Sequence, residues 1–175
     1  MLRAMADDHS DNRDRSRDAH WTWSGATLAA GRAAIIDVDG VISEASARQH
    51  FLEGPRKDWR GFFEACDQDP VIDETRTLLH ALETDLRVVL LTARPAWVQE
   101  KTVDWLGRHE VRWDLLVMRG YRDQRSSTIF KKEALQALIE HPFDPVFAIE
   151  DDLRNAEMFR AHGVPCLYRH SGYYE

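Results

Sequence analysis

Long apolar runs are missing from this sequence. Nothing in it approaches the roughly 20 consecutive apolar residues that a membrane helix needs, so no membrane association is expected. Cysteine is scarce: Cys66 and Cys166 lie far apart and in no metal-type spacing. That argues against a disulfide scaffold or a cysteine zinc site and favours two reduced thiols. Positive charge is in deficit, with 23 Lys and Arg against 30 Asp and Glu and a formal net charge of −7. Bulk charge therefore gives no general affinity for polyanions, although a local basic patch stays open. The opening residues carry no apolar signal core, and a cytoplasmic location is expected. A GxxxxGK[ST] phosphate loop is also missing. Gly25 to Arg32 follows that pattern only loosely and lacks its Lys-Ser/Thr end, so no kinase activity is expected. None of the eight histidines forms a convincing ligand pair.

What is present fits one α/β domain of 175 residues,. The stretch 1–24 is expected to be a disordered or loosely docked tail, because alternating Asp and Arg up to about His20 bury too little to offset ordering entropy. Trp21 and Trp23, two apart, share one strand face and read as a dock onto the domain. From 25 to 175 the chain reads as the folded domain. Four short, continuous apolar runs mark buried parallel strands: Ala33 to Val38, Arg87 to Thr92, Leu115 to Met118 and Val146 to Ile149,. Pro165 to Tyr168 is a weaker fifth. Helical spacing separates them: Val71, Thr75, Leu78, Leu79 and Leu82; then Trp97, Val98, Trp105 and Leu106, with Pro95 near the first turn; then Phe130, Ala134, Leu135, Leu138 and Ile139; then Met158 and Phe159, closed by Gly163,. Alternating strands and helices predict a three-layer, doubly wound Rossmann-like parallel sheet. Residues 43–70 break the alternation and read as a small lid or flap.

Ligands of open parallel sheets bind beyond the strands' carboxyl ends. The first strand ends in Asp37-Val38-Asp39-Gly40. Two close carboxylates there call for a cation or a trapped proton. One aspartate can attack phosphorus, and the other can protonate the leaving oxygen and later activate water. The second strand ends in Thr92-Ala93-Arg94-Pro95, a hydroxyl and backbone N–H groups beside an arginine, suited to an anion. A basic loop follows the third strand, then Lys131 and Lys132. The fourth ends in Glu150-Asp151-Asp152, oxygen ligands for a hard cation. Each motif alone has an ordinary structural explanation; together they occupy one rim of one sheet.

This ordered set resembles the haloacid dehalogenase superfamily of phosphohydrolases from about Ala33 onward. The resemblance implies Asp37 as nucleophile and Mg²⁺ ligand, and Asp39 as general acid/base with its carbonyl on the metal. It implies Thr92 on a phosphoryl oxygen and Lys131, in preference to Lys132, on the nucleophile. Asp151 would be a metal ligand with Glu150 beside it, directly or through water. An acid at Asp39 favours a phosphatase over the superfamily's transport ATPases and dehalogenases. More narrowly, the chain is similar to the 3′-phosphatase domain of phage-type polynucleotide kinase-phosphatases. Arg48 nine after Asp39, Thr92-Ala93-Arg94, Leu116-Val117-Met118, Ala148-Ile149-Glu150-Asp151, Glu157-Met158-Phe159-Arg160 and Ser171-Gly172 carry this. It implies that Arg48 and Arg94, with Ala93 and Gly40 beside them, engage the substrate phosphate. Val41 departs from a common Thr, Glu150 from a usual Asp, and Ser126-Ser127-Thr128 from an acid expected before the lysine.

The expected function is Mg²⁺-dependent removal of a 3′-phosphate from a nucleic-acid end through an aspartyl-phosphate. A small-molecule phosphatase and a non-catalytic phosphate-binding module stay as alternatives, and a separate kinase or ligase partner is not deducible. Arg48, Arg56, Lys57, Arg60, Arg94, Arg119, Arg122 and Arg125 are expected to form a basic rim.

Overall fold

The apolar runs become the strands of one six-stranded sheet, ordered β1-β4-β3-β2-β5-β6. The structure, a computed structural model, describes residues 19–25 and 31–174. Residues 1–18 of the expected 1–24 tail and most of the loop-like stretch from Gly25 to Arg32 lie outside the described residues. The strands are β1 (His20–Trp23), β2 (Arg32–Ile36), β3 (Arg87–Pro95), β4 (Leu115–Arg119), β5 (Asp144–Glu150) and β6 (Cys166–Tyr168). The helices are α1 (Trp59–Glu64), α2 (Asp73–Ala81), α3 (Gln99–Arg108), α4 (Ser127–Glu140) and α5 (Leu153–Ala161).

Period-two alternation explains why the runs are apolar throughout. Ala33, Ile35, Val89, Leu91, Leu115 and Val117 face a core completed by Phe130, Leu135 and Leu138 of α4 and Phe159 of α5. Their neighbours Ala34, Ile36, Val88, Leu90, Leu116 and Met118 face Leu79 of α2 and Trp105 and Leu106 of α3. With both faces covered, neither parity of the strand can be polar. This is the three-layer α/β fold.

The sheet is mixed, not wholly parallel. β2 to β6 pair in parallel, but β1 runs antiparallel on β4, with Trp21 opposite Val117 and Trp23 opposite Leu115. The rings pack on the α4–α5 side, where Trp23 stacks on Phe143 with centroids 6.1 Å apart.

Helix phase differs from the expectation in three places. Ile139 and Leu78 are exposed, because a helix advances 100° per residue and they fall off the stripes set by Leu135 and Leu138 and by Thr75 and Leu79. β3 runs past Thr92 to Pro95 with a register shift between them, so the helix starts at Gln99 after a 3₁₀ turn, Ala96–Val98. The 43–70 insertion holds a 3₁₀ segment (Ala45–Leu52), α1 and a short 3₁₀ turn.

β2 has β3 on one side and β5 on the other. The chain winds outward through β3 and β4, then returns to β5 and β6. The end of β2 is therefore the topological switch point, where such sheets open a crevice.

Candidate active site

At the end of β2 the chain leaves the sheet through Asp37, Val38 and Asp39. Gly40 makes the turn possible. Its φ is +77°, and a Cβ built there would sit 1.9 Å from Asp151 Oδ2. Gly40→Ala is expected to lose about 1–2 kcal/mol from the left-handed backbone alone. The overlap with Asp151 adds to that. Urea unfolding measures the combined loss.

Asp37 is buried and accepts a hydrogen bond from its neighbour, Val38 N–H, at 2.8 Å. Lys131 reaches it from the second turn of α4, a helix whose N-cap Ser126 accepts from Ile129 N–H. Lys131 Nζ stands 2.9 Å from Asp37 Oδ1 and 2.6 Å from Glu150 Oε2, and the side chain is 1% exposed. Lys132 points outward and is exposed. Burial alone would lower the lysine's pKa, but the Asp37 and Glu150 carboxylates outweigh it and hold the ammonium charged,.

Asp37, Glu150 and Asp151 offer carboxylate oxygens that all lie within 4.8 Å of one another. Both Asp151 oxygens are buried without a hydrogen-bond partner. Burial, then the nearby Asp37 charge, pushes the Asp151 carboxyl up to about 7. Burial and the Glu150 charge likewise raise Asp37 well above the usual carboxylate range, against the pull of Lys131. Orphaned, crowded, all-oxygen donors fit a hard divalent cation, whose charge would satisfy all three. Asp152, third in the acidic run, does something else. It caps α5 by accepting from Arg154 N–H at 2.9 Å, and it pairs with the Arg154 guanidinium at 2.7 Å.

Sequence reasoning missed Asn155. Its amide donates to Glu150 Oε1 and to Ser127 Oγ, each at 3.2–3.3 Å, while Thr128 Oγ1 donates to its carbonyl at 2.7 Å. The Ser-Thr run noted as a departure thus anchors the amide that orients Glu150. Its only sequence signal was an Asn in the first turn after the acids. Asn155→Ala is expected to cost about 1–3 kcal/mol, because it leaves buried partners unsatisfied. Thermal unfolding checks it.

Asp39 faces a different set of groups. Arg94 donates to Asp39 Oδ1 from Nε at 3.0 Å and from Nη2 at 2.6 Å, and Arg48 Nη2 adds a further bond. Behind them lies Asp69, also missed in the sequence. It accepts from Arg48 Nε at 2.9 Å and from the Ser43 hydroxyl. Trp105 Nε1 fixes the Asp69 carbonyl at 2.8 Å. Burial would raise Asp39, but the two guanidinium charges dominate and hold it well below the usual carboxylate range. Thr92 is buried beside this cluster, its hydroxyl accepting from Arg94 N–H at 3.1 Å.

The basic rim therefore divides. Arg48 and Arg94 are buried behind Asp39, not displayed on the surface. Lys57, Arg60, Arg119, Arg122 and Arg125 line a cavity of about 1420 Å³ together with Asp37, Asp39, Ala93 and Lys131. Arg56 is exposed outside that lining. The C-terminal segment folds over the same turn: Arg169 donates to the Gly40 carbonyl, and the Tyr173 hydroxyl to Glu44. Among the described residues no helix is long and apolar enough to cross a membrane.

A family profile described as the polynucleotide kinase PNKP phosphatase domain matches residues 31–174. No curated protein sequence matches the chain. Among solved structures, one titled the Pnkp1/Rnl/Hen1 RNA repair complex superposes with TM-score 0.69 at 25% identity, over 85% of this chain and 45% of that one. A second Pnkp1/Rnl/Hen1 complex gives 0.65 at 26% identity, over 85% and 49%. This chain thus spans about half the length of those two. The tungstate-bound class C acid phosphatase from Bacillus anthracis shares the fold, with TM-score 0.59 at 13% identity over 85% of this chain and 70% of that one.

Proposed function

The chain belongs to the PNKP phosphatase-domain family, and from that premise we propose that it removes the 3′-phosphate from a polynucleotide end, with Mg²⁺, through an aspartyl-phosphate on Asp37. That it is a phosphatase of the haloacid dehalogenase type follows from the family match. The finer reading is carried by one observation: the orphaned Asp151 carboxylate stands against Asp37 and Glu150, with Lys131 fixed between the latter two.

In this reading an Asp37 oxygen attacks phosphorus, forming the acyl phosphate as the bond to the 3′-oxygen breaks. Asp39 gives its proton to that leaving oxygen, leaving a 3′-hydroxyl. Asp39 then takes a proton from water, which attacks phosphorus and releases inorganic phosphate and the Asp37 carboxylate. With both arginines on it, Asp39 is ionised, as the second step requires. A phosphate dianion arriving beside Asp39 repels its carboxylate charge and raises its pKa, which favours the protonated form needed first. Lys131 offsets charge on the nucleophile and the transferring group. Asp37, Asp151 and the Asp39 carbonyl, with Glu150 beside them, would hold Mg²⁺, which when bound supplies charge neutralisation at the phosphoryl oxygens.

The substrate class draws on the family and on the cavity. Its size exceeds the roughly 300–1,000 Å³ of an ordinary small-molecule pocket. A 3′-hydroxyl product is what an end-joining reaction consumes, so a partner of that class belongs to the proposal. The test is a panel of 3′-phosphorylated oligonucleotides, 5′-phosphorylated oligonucleotides, mononucleotides and sugar phosphates with Mg²⁺. The 3′-phosphorylated oligonucleotide should have at least about a tenfold higher kcat/KM, a difference of about 1.4 kcal/mol in transition-state binding. Indifference to that substrate with ready cleavage of mononucleotides would establish a small-molecule phosphatase instead.

A further inference from the structure

The lid presents an aromatic wall to the cavity that holds Asp37. Trp59 and Phe63 of α1 stack with centroids 6.0 Å apart and planes 25° apart, and Trp97, just beyond β3, meets Phe63 edge-on at 6.2 Å. All three line the cavity. Lid packing alone would bury these rings, yet Trp59 is 50% exposed and Trp97 37%. Cations sit over them: Lys57 Nζ lies 5.8 Å from the Trp59 ring and Arg60 Cζ 6.0 Å from Trp97. Several acids of the same lining are already committed, Glu64 to Lys101, Asp123 to Arg125 and Asp152 to Arg154. Lys57, Arg60, Arg119 and Arg122 form no ion pair among the described residues, and Arg119 Nε is a buried donor with no partner.

We propose that Trp59 and Trp97 stack the terminal nucleobase of a single-stranded 3′ end, while Lys57 and Arg60, with Arg119 at the end of β4 and Arg122 in the turn after it, take its backbone phosphates. Aromatic faces bordered by unpaired cations match one ligand chemistry, a planar base on a polyanionic strand. The wall shares its cavity with the nucleophile, so a base held there is continuous with a phosphate at Asp37. In a blunt duplex the terminal base is held by its pair and by stacking on one neighbour, so it cannot turn into the wall without fraying, and the site selects a single-stranded or frayed end. The net charge of −7 does not oppose this, because the cations are concentrated around one cavity. This inference rests on the 3′-end reading and adds what would separate a strand from a small phosphomonoester.

The experiment compares kcat/KM for three substrates at fixed salt: a single-stranded oligonucleotide with a 3′-phosphate, the same strand with an abasic 3′-phosphorylated terminus, and a blunt duplex carrying the 3′-phosphate. Wild type should prefer the base-bearing single strand over the abasic one by roughly 5- to 150-fold, and over the duplex. In Trp59→Ala and Trp97→Ala that preference should collapse, through KM more than kcat, and Trp59→Phe should restore most of it. Because the abasic comparison needs no variant, a misfolded mutant cannot hide the answer. Equal wild-type turnover of base-bearing and abasic ends overturns the platform while leaving the 3′-phosphatase reading intact. Poor turnover of every 3′-phosphorylated strand beside rapid sugar-phosphate hydrolysis overturns both.

Discussion

Asp37→Asn is expected to lower kcat by about 10⁴-fold or more, the scale on which removal of a covalent nucleophile acts. An amide cannot form the acyl phosphate, and it is a poorer cation ligand. The same substitution should leave the metal-free protein at least as stable. The folded-state pKa of Asp37 is raised, by burial and then by Glu150. An acid with a raised folded pKa binds its proton more tightly in the folded state, so above its unfolded pKa of about 4 its ionisation costs stability. Removing that ionisation relieves the cost, against the loss of the Lys131 contact. Mg²⁺ should raise the melting temperature of the wild type, as any ligand confined to the assembled triad would, and should raise that of the variant less. Phosphate release and thermal unfolding with and without Mg²⁺ give both halves. A variant that is inactive only because it unfolds would contradict this account.

Arg94→Ala should be the most destabilising single change in the site. Arg94 is fully buried, and it bonds Asp39 and the Ser43 hydroxyl directly while Asp69 Oδ2 lies 3.6 Å away. Deleting one partner of a buried pair leaves uncompensated charge, at a cost of about 3–5 kcal/mol. The loss should depend on pH with a definite sign. Asp39 is depressed in the folded state by its arginines against the opposing effect of burial. Its contribution is therefore present above the unfolded pKa of about 4 and lost as pH falls through the lower folded value. In chelator, the stability gap between wild type and Arg94→Ala should be widest above about pH 5 and should narrow below about pH 4. A gap that is flat with pH would mean that Arg94 acts by packing alone.

These two residues also show where the sequence was informative. Asp37 was readable because its meaning is local: a buried parallel strand must end where its apolar run ends, and ligands gather at that end. Thr92 and Glu150-Asp151 were readable for the same reason, whereas Lys131, on a helix, was singled out from Lys132 only by the resemblance. Arg94 was visible as an arginine at a strand end, but its long side chain could have turned either way. The structure turns it inward, onto Asp39, because Asp69 and Ser43 wait there. Those two come from either end of the lid insertion, and no spacing rule joins them. Asn155 escaped for the same reason, since its partners Ser127 and Glu150 sit on different elements. β1 reads as a strand face through Trp21 and Trp23, whereas its partner β4 is set by which sheet edge lies open. The exposed Ile139 shows the limit of apolar composition: helix phase, not hydrophobicity, decides which of two adjacent residues is buried.

The central claim concerns a covalent bond to Asp37, and acid quenching tests it most directly. A single-stranded oligonucleotide carrying a radiolabelled 3′-phosphate is mixed with the enzyme and Mg²⁺, quenched in acid during turnover, and the protein is digested. The account predicts label on the peptide that contains Asp37, stable in acid and released by hydroxylamine, as an acyl phosphate is. Full turnover with no label on the protein at any quench time, or label on a peptide without Asp37, would contradict it.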